Sequence, residues 1–311
     1  MSRFERQSHV SSHAPDARGY RDQGRLDVID MPSLCGTIPC MRYGPRPQSE
    51  ERTIAQAIAS VVANLEMFRR RTVTSGEIAQ MIGAPLGSDR HEWAVRSLVA
   101  HGWLIPLPVR GTYEFLSAQS GPDRAGDPLT EAAAALKRDP GLRLQLVLGG
   151  AAFLGGFNER APLRYTLIVP RQAPIQRGLA QAYDLIRAAP SRFFGATPRD
   201  SVAMSGASRL LFDAALWPTR AGDLRDPDHW LRAALAKAEI ADILAFAQRL
   251  DSDRVTARAG YFAEAFGRSD VAASLADLHP KAAVRLGDPA GPLHARDTRF
   301  GVRDHLGVAG A

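Results

Sequence analysis

The sequence predicts an α+β protein with a small N-terminal unit of helices and a hairpin, followed by a larger mixed, mainly helical C-terminal domain. Three observations carry this prediction. Helix caps and hairpin signals follow one another between Phe68 and Leu116. A Gly- and Pro-containing stretch, residues 117–128, then interrupts the periodic pattern. Beyond it, strand-like alternation gives way to helical spacing of apolar residues.

The N-terminal unit begins with a predicted helix from about Glu51 to Arg70. Its apolar residues recur at helical spacing and are expected to be core: Ile54, Ile58, Val61, Val62, Leu65 and Phe68. Thr74 and Glu77 then form a T-x-x-E capping box that opens a short second helix, and Gly83 follows where that helix should stop.

A third helix and a hairpin complete the unit. Ser88 or Asp89 is placed to cap a helix that runs to about His101. Two short strands, Trp103–Leu107 and Thr112–Leu116, are then joined through Pro108, Val109, Arg110 and Gly111. The order helix, helix, turn, helix and hairpin predicts a winged helix-turn-helix, whose last helix reads DNA and whose hairpin is the wing.

The third helix has two chemically different sides. At about 100° per residue, Ala94, Val95, Leu98 and Val99 fall on one side, which is expected to face the core. His91 points inward by the same count and is expected to be structural. The exposed side carries Arg90, Trp93, Arg96 and Ser97, which suit phosphates and base edges in a major groove. Trp93 is equally well explained as a cover for the first helix.

Further residues complete a predicted DNA surface. Arg69, Arg70 and Arg71 end the first helix, where they either cap the helix dipole or meet a phosphate backbone. Arg110 lies near the tip of the predicted wing. The full set of candidate DNA-binding residues is Arg69, Arg70, Arg71, Ser88, Arg90, Trp93, Arg96, Ser97, Arg110 and Thr112.

The chain divides into four predicted segments. Residues 1–48 are polar and aperiodic, as is typical of a flexible arm. They are followed by the winged helix-turn-helix at 49–116, a linker at 117–128 and an α+β domain at 129–311. In that last domain, strands are expected at residues 142–147, 163–169 and 201–204. Helices are expected at residues 129–138, 175–187, 207–216, 229–238, 240–250, 255–266 and 271–278, with a strand pair in the tail.

Composition limits the classes of function. The net charge of +6 is compatible with a polyanionic partner, although 36 of the 39 basic residues are arginine, a bias that a high-GC genome also produces. Cys35 and Cys40 lack further ligands at metal spacing, so no metal site is predicted. No signal-peptide core or membrane-length apolar run is present in the sequence, and a cytoplasmic protein that does not enter membranes is expected.

No catalytic site and no cofactor are predicted. The sequence contains no G-x-S-x-G, Walker phosphate loop, H-E-x-x-H or dinucleotide fingerprint. The glycines at 149, 150, 155 and 156 fit no phosphate-loop spacing, and close packing of a small helix on a strand explains them better. Ser205, Ser208, Asp213 and His229 are hydrolase residue types, but no nucleophile-elbow motif accompanies them.

Two segments together resemble the AbiEi antitoxins. They are VTSGEIAQMIGAPLGSDRHEWAVRSLVAHGWLIPLPVRGTYEFL, and VAMSGASRLLFDAALWP with the later DILAFAQRLDSDRVTARAGYFAEAFG. The resemblance implies an N-terminal winged helix that binds promoter DNA and represses its own operon. It also implies a C-terminal domain that counteracts a partner nucleotidyltransferase toxin.

The leading hypothesis is therefore a non-enzymatic, sequence-specific repressor that binds double-stranded operator DNA. The partner toxin is opposed either directly or functionally, and a homodimer is compatible with the paired half-sites that such proteins read. Two alternatives stay open at this stage. One is a protein-binding module that neutralises a toxin without DNA, and the other is a winged-helix regulator that responds to a small ligand.

Overall fold

The computed structural model describes residues 56–118, 126–226, 228–278 and 283–308. These described residues belong to one compact unit. In the described ranges this unit combines α-helices with three β-sheets, so the fold is mixed α+β as the sequence predicts. The predicted arm at 1–48, with both cysteines, and most of the predicted linker lie outside the described residues.

The first part of the described chain contains three helices and three short strands. Their bounds are α1 Gln56–Met67, β1 Thr72–Thr74, α2 Ser75–Met81, α3 Asp89–Ala100, β2 Leu104–Pro106 and β3 Thr112–Phe115. The strands form an antiparallel sheet in the order β1-β3-β2. The sequence predicted all of these elements except β1, because three residues that end at a helix cap are too few to establish a period.

Local side-chain chemistry sets the helix boundaries. The Thr74 side chain accepts from the Glu77 backbone N–H, and Glu77 in return accepts from the Thr74 backbone N–H, so the predicted capping box is confirmed. Ser88 is the N-cap of α3. Gly83 and Gly102, which follow α2 and α3, adopt φ values of 61° and 72°, a region that glycine enters without steric cost.

A small core holds this first part together. It contains Ile58, Val61, Val62, Leu65, Val73, Ile78, Ala94, Leu98, Trp103, Leu104 and Phe115. The prediction that Phe68 belongs to this core is wrong, since its side chain is 56% exposed. Helix α1 ends at Met67, and the left-handed φ of 48° at Arg69 turns the chain directly after Phe68.

Residues 126–308, here called the C-terminal body, contain the remaining elements. The helices are α4 Thr130–Arg138, α5 Leu148–Leu154, α6 Arg177–Ala182, α7 Ala207–Leu216, α8 Trp230–Ala236, α9 Ile240–Leu250, α10 Asp253–Ala265 and α11 Ser269–Ala276. The strands are β4 Gln145–Val147, β5 Thr166–Pro170, β6 Asp184–Ala188, β7 Ala196–Arg199, β8 Val202–Ser205, β9 Val284–Leu286, β10 Ala295–Asp297 and β11 Val302–Asp304. The helices pack with a five-stranded sheet of order β6-β5-β4-β8-β7 around the larger core.

Two sequence-based expectations for the C-terminal body are wrong, and one strand was not predicted. Strand β4 is not half-buried, because it lies in the middle of the sheet with β5 and β8 as neighbours and all three of its residues are buried. The helix expected over 175–187 ends at Ala182, and its second half is strand β6, which pairs in parallel with β5. Strand β7 was missed, since its four exposed residues carry no apolar signal.

The end of the β2–β3 hairpin is attached to the C-terminal body. We call residues 107–111 the hairpin tip. Val109 is fully buried, and its side chain belongs to the core of the C-terminal body and not to the small N-terminal core. The backbone of Pro108 and Val109 lies so close to Gly178 of α6 that a Cβ on this glycine would come within 2.2 Å of the Pro108 carbonyl. Helix α4 also packs against β1 and β3.

Replacing Gly178 with alanine should therefore destabilise the protein. The added methyl group collides with backbone atoms, which cannot rotate away as a side chain would, and we expect a loss of about 1–3 kcal/mol in the free energy of unfolding. Urea denaturation of the full chain measures this loss. The matched control is Gly76→Ala, where the nearest atom to the new Cβ is 3.9 Å away. Equal stabilities of the two variants would contradict the close contact.

Candidate nucleic-acid interface

Helix α3 presents a charged and aromatic face to solvent. Arg90, Trp93 and Arg96 are exposed, whereas Ala94 and Leu98 on the other side are buried in the small core. Ser97 is half-buried, and its hydroxyl lies 3.4 Å from His101 Nδ1. Neither Arg90 nor Arg96 forms an ion pair with any described residue. The predicted division of the helix into two sides is therefore confirmed as a matter of exposure.

His91 fixes the start of α3 against the start of α2. Its imidazole is buried, as predicted, and Nδ1 accepts from the Gly87 backbone N–H at 3.2 Å. A ring nitrogen that accepts from an amide carries no proton, so the neutral ring bears its proton on Nε2. Nε2 lies 3.1 Å from the Ser75 carbonyl oxygen, to which it donates. This link fixes the angle at which the Arg90–Arg96 face leaves the core.

The three arginines after α1 have different surroundings. Arg69 is exposed at its left-handed position. Arg70 pairs with Glu77 at 3.1 Å and stacks over the Phe68 ring at 5.6 Å. Arg71 pairs with Asp127 at 3.1 Å. Two of the three predicted phosphate contacts are thus already paired with carboxylates of the same chain.

The hairpin tip does not present all of its predicted contacts. Arg110 is exposed, but its backbone carbonyl accepts from the guanidinium of Arg138 in α4. Thr112 is 2% exposed, and its hydroxyl donates to the Val109 carbonyl at 2.6 Å. Thr112, which the sequence placed among the candidate DNA contacts, is therefore buried in the tip and held there by its own hydrogen bond. The sequence suggested exposure because hairpin ends are ordinarily solvated, and nothing local indicated the docking partner.

Glu77 joins the α2 cap to the C-terminal body, a role that sequence reasoning missed. Its carboxylate accepts from the Thr74 backbone N–H at 2.7 Å and pairs with Lys137 of α4 at 3.0 Å. The Lys137 ammonium also donates to the Thr72 carbonyl at 2.5 Å. Burial alone would raise the pKa of Glu77, but the Thr74 and Lys137 contacts outweigh it and hold the pKa below its ordinary value.

The glycines around α5 serve packing. A Cβ on Gly150 would lie 2.9 Å from the Tyr165 ring, and one on Gly155 would lie 2.7 Å from the Phe157 ring. These positions admit no side chain because aromatic rings cover them. The interpretation of close helix-on-strand packing is confirmed for Gly150, which also faces Leu146 of β4, whereas Gly155 packs against the nearby Phe157 and not against a strand.

The hydrolase residue types are bound to other partners. His229 accepts from the Leu231 backbone N–H through Nδ1 and donates from Nε2 to the Ala221 carbonyl at 2.8 Å. Burial lowers the pKa of this imidazole. The Ser208 hydroxyl accepts from the Glu239 backbone N–H, and Asp213 pairs with Arg209 at 2.8 Å. Each polar group thus has a structural use within the described residues.

An open cleft of about 560 Å³ lies beside the start of α5. Its charged lining is mixed, with Arg160, Arg164 and Arg220 alongside Asp184, Asp223, Asp226 and Asp228. Several of these charges are already compensated, as in the Arg164–Asp184 pair at 3.3 Å. The hydrogen bonds from Arg225 lower the pKa of Asp223 to about 2. This cleft therefore has no dominant charge for a ligand of either sign.

Within the described ranges, no cluster of three or more His, Cys, Asp or Glu side chains has the arrangement of a metal site. Within the same ranges, no helix combines the length and the apolar character that crossing a bilayer requires.

Comparison with known proteins identifies a related fold. The chain is similar to the crystal structure of the RV2827C protein from Mycobacterium tuberculosis, with a TM-score of 0.67 over 85% of this chain and 96% of that one. The sequences are 22% identical, so the similarity concerns the fold alone. No protein-family model matches the chain, and no curated protein matches it.

Replacing Glu77 with glutamine should weaken the protein in a pH-dependent way. Glutamine can keep the capping-box acceptor but loses both ion pairs, so we expect about 1 kcal/mol less stability near neutral pH. Because folding lowers the pKa of Glu77, the stability difference between wild type and Glu77→Gln is fully present above pH 4.5, the pKa of Glu77 in the unfolded chain. The difference is lost as the pH falls through the lower pKa of the folded protein.

Urea denaturation at a series of pH values measures the difference. Glu159→Gln is the control, since Glu159 is exposed and has no ion pair within the described residues. Its effect should stay small throughout the series. A difference between wild type and Glu77→Gln that did not change with pH would argue against a charged Glu77 at this junction.

Proposed function

We propose that this protein is a sequence-specific, double-stranded DNA-binding transcriptional repressor. The observation that carries the proposal is the exposed face of α3, where Arg90, Trp93 and Arg96 extend from a helix that is capped at Ser88 and fixed by buried His91. Guanidinium groups on a rigid helix suit bidentate contacts to guanine in a major groove and contacts to phosphates.

In this proposal the segment from α1 to β3 is a winged helix-turn-helix, and α3 is its recognition helix. Arg69 and Arg110 are exposed and are assigned to phosphates beside the groove. Arg70 and Arg71 contribute less, because contact with DNA would require them to leave Glu77 and Asp127. Ser88 and Ser97 keep secondary roles near the backbone and the bases, and Thr112 has no direct role.

The biological role that we propose follows from the resemblance to AbiEi antitoxins. The protein represses its own operon at the operator and counteracts a nucleotidyltransferase toxin encoded beside it, as a cytoplasmic non-enzyme that needs no cofactor. The similar fold of a mycobacterial protein is compatible with this role but does not bear on it. A homodimer on paired half-sites belongs to the same proposal.

A second candidate function is neutralisation of the toxin by direct protein binding, without any need for DNA. It is favoured by the separate hydrophobic core of the C-terminal body, which is large enough to support a binding surface of its own. The exposed face of α3 and the larger core share no residues, so substitutions on α3 can separate the two functions.

The double variant Arg90→Ala/Arg96→Ala should bind operator DNA at least about tenfold more weakly, since one bidentate guanine contact alone contributes about 1–3 kcal/mol. Fluorescence anisotropy with the DNA upstream of its gene, over a series of salt concentrations, measures the loss. If both guanidiniums meet phosphates, the slope of log K against log salt should become shallower by about 0.9 for each lost contact.

The matched control for this measurement is Arg160→Ala/Arg171→Ala, which removes two exposed guanidiniums from the C-terminal body. It changes the net charge equally, so any effect of overall charge appears in both variants. An unchanged operator affinity in Arg90→Ala/Arg96→Ala would reject the placement of DNA on α3. An equal loss in both variants would assign the binding to bulk charge.

Protection against the neighbouring toxin separates the two candidate functions. Cells that produce the toxin together with Arg90→Ala/Arg96→Ala should survive if the C-terminal body acts directly on the toxin, because that body is untouched. The two genes are expressed from promoters that the protein does not regulate. Loss of protection in this variant, with protection kept in the Arg160→Ala/Arg171→Ala control, would tie neutralisation to DNA binding.

A further inference from the structure

The sheet at the end of the chain carries a row of like charges. Strand β11 lies between β9 and β10, and Arg303 is in register with Arg285 on one side and Arg296 on the other. All three side chains are exposed, whereas their strand neighbours Val284, Leu286, Val302 and Asp304 are buried. Arginines at paired positions on one face of a sheet repel one another and reduce stability.

Helix α10 adds two more arginines to the same place. Arg254 and Arg258 line a groove of about 460 Å³ together with Arg285 and Arg303. Among the described residues, Ala283 and Val284 complete the lining, so its described part contains four guanidiniums and no carboxylate. We call this the arginine groove. None of its four arginines forms an ion pair with a described residue.

Arg258 is the most constrained of the four. Its Nη1 and Nη2 donate to the carbonyls of Ala215 and Arg285, at 3.2 and 3.0 Å. Its Nε is buried and has no hydrogen-bond partner among the described residues. Burial, and then the charge of neighbouring Arg254, lower the pKa of this guanidinium. A half-buried cation beside three others is costly unless an anion compensates it.

We propose that the arginine groove binds a compact multivalent phosphate, either a free oligophosphate or the phosphate chain of a nucleotide. Guanidinium groups form bidentate, charge-assisted hydrogen bonds with phosphate oxygens, which makes arginine suited to this ligand. The helix and the sheet supply their charges from two sides of one groove. The volume of the groove falls in the range of small-molecule sites, whereas the convex backbone of a duplex requires an open surface.

This site is independent of the proposed DNA-binding face, since it uses α10, β9 and β11 and no residue of α3. A ligand there would compensate charges that otherwise repel one another. The groove therefore gives a role to four guanidiniums that form no ion pair within the described residues.

Isothermal titration of the full-length protein with sodium tripolyphosphate, and separately with ATP, tests the proposal at constant ionic strength. Wild type should bind tripolyphosphate saturably, and Arg285→Ala/Arg303→Ala should bind it at least about tenfold more weakly. The same variant should be as stable as wild type or more stable without ligand, because like-charge repulsion is relieved. Equal affinities for the two ligands indicate recognition of the phosphate chain alone, and tighter binding of ATP indicates a nucleotide.

Arg160→Ala/Arg171→Ala is again the control and should keep the wild-type affinity for tripolyphosphate. Arg303→Gln alone provides a milder test should the double variant fold poorly, and it should also weaken binding. No saturable binding by wild type, or equal dissociation constants in wild type and Arg285→Ala/Arg303→Ala, would overturn the proposal. So would a result in which the groove variant loses affinity for duplex DNA while tripolyphosphate does not bind at all.

Discussion

The buried ion pair between Arg209 and Asp213 is the constraint on which the C-terminal body depends. Both side chains are fully buried on α7, with Arg209 Nε 2.8 Å from Asp213 Oδ1. The other carboxylate oxygen accepts from the Leu148 backbone N–H, where the chain leaves β4 and enters α5. The Arg209 guanidinium lies 3.8 Å from the centre of the Phe194 ring. One pair thus connects the central strand, two helices and the segment before β7.

The free-energy cost of burying two charges explains why the surrounding structure depends on the Arg209–Asp213 pair. Removing water from two charges costs several kcal/mol for each ion, and loss of one partner leaves the other buried without compensation, at a cost of about 3–5 kcal/mol. Leu148, whose backbone N–H donates to Asp213, holds a left-handed φ of 57° that a bulky side chain rarely adopts. The pair therefore helps to keep the chain in a conformation that local preference alone would not maintain.

Features that depend on neighbouring residues are predictable from this sequence, whereas features that depend on residues distant in the chain are not. Helices 207–216 and 240–250 match their predicted bounds because each carries a strong apolar period and clear breaks at its ends. The capping box at Thr74 and the inward His91 were predictable for the same local reason. Strand β6 and the burial of Gln145 depend on partners that are distant in sequence, so no local period reveals them.

The same difference between local and distant contacts applies to the candidate nucleic-acid interface. The exposure of Arg90, Trp93 and Arg96 follows from helical geometry and was predicted from the sequence. The burial of Thr112 and the ion pairs of Arg70 and Arg71 arise from contacts with Val109, Glu77 and Asp127, which depend on how the chain folds back on itself. Even at an exposed surface, tertiary contacts determine which charges are available to a ligand.

The burial of Val109 in the larger core has a consequence for how the gene can be divided. A fragment that begins after the hairpin would lack the Val109 side chain, and the apolar residues that surround Val109 would be exposed to water. Such a fragment would tend to self-associate unless the missing segment were supplied as a second polypeptide. The two fragments could then reassemble without a covalent bond, because insertion of Val109 into the larger core would hold them together.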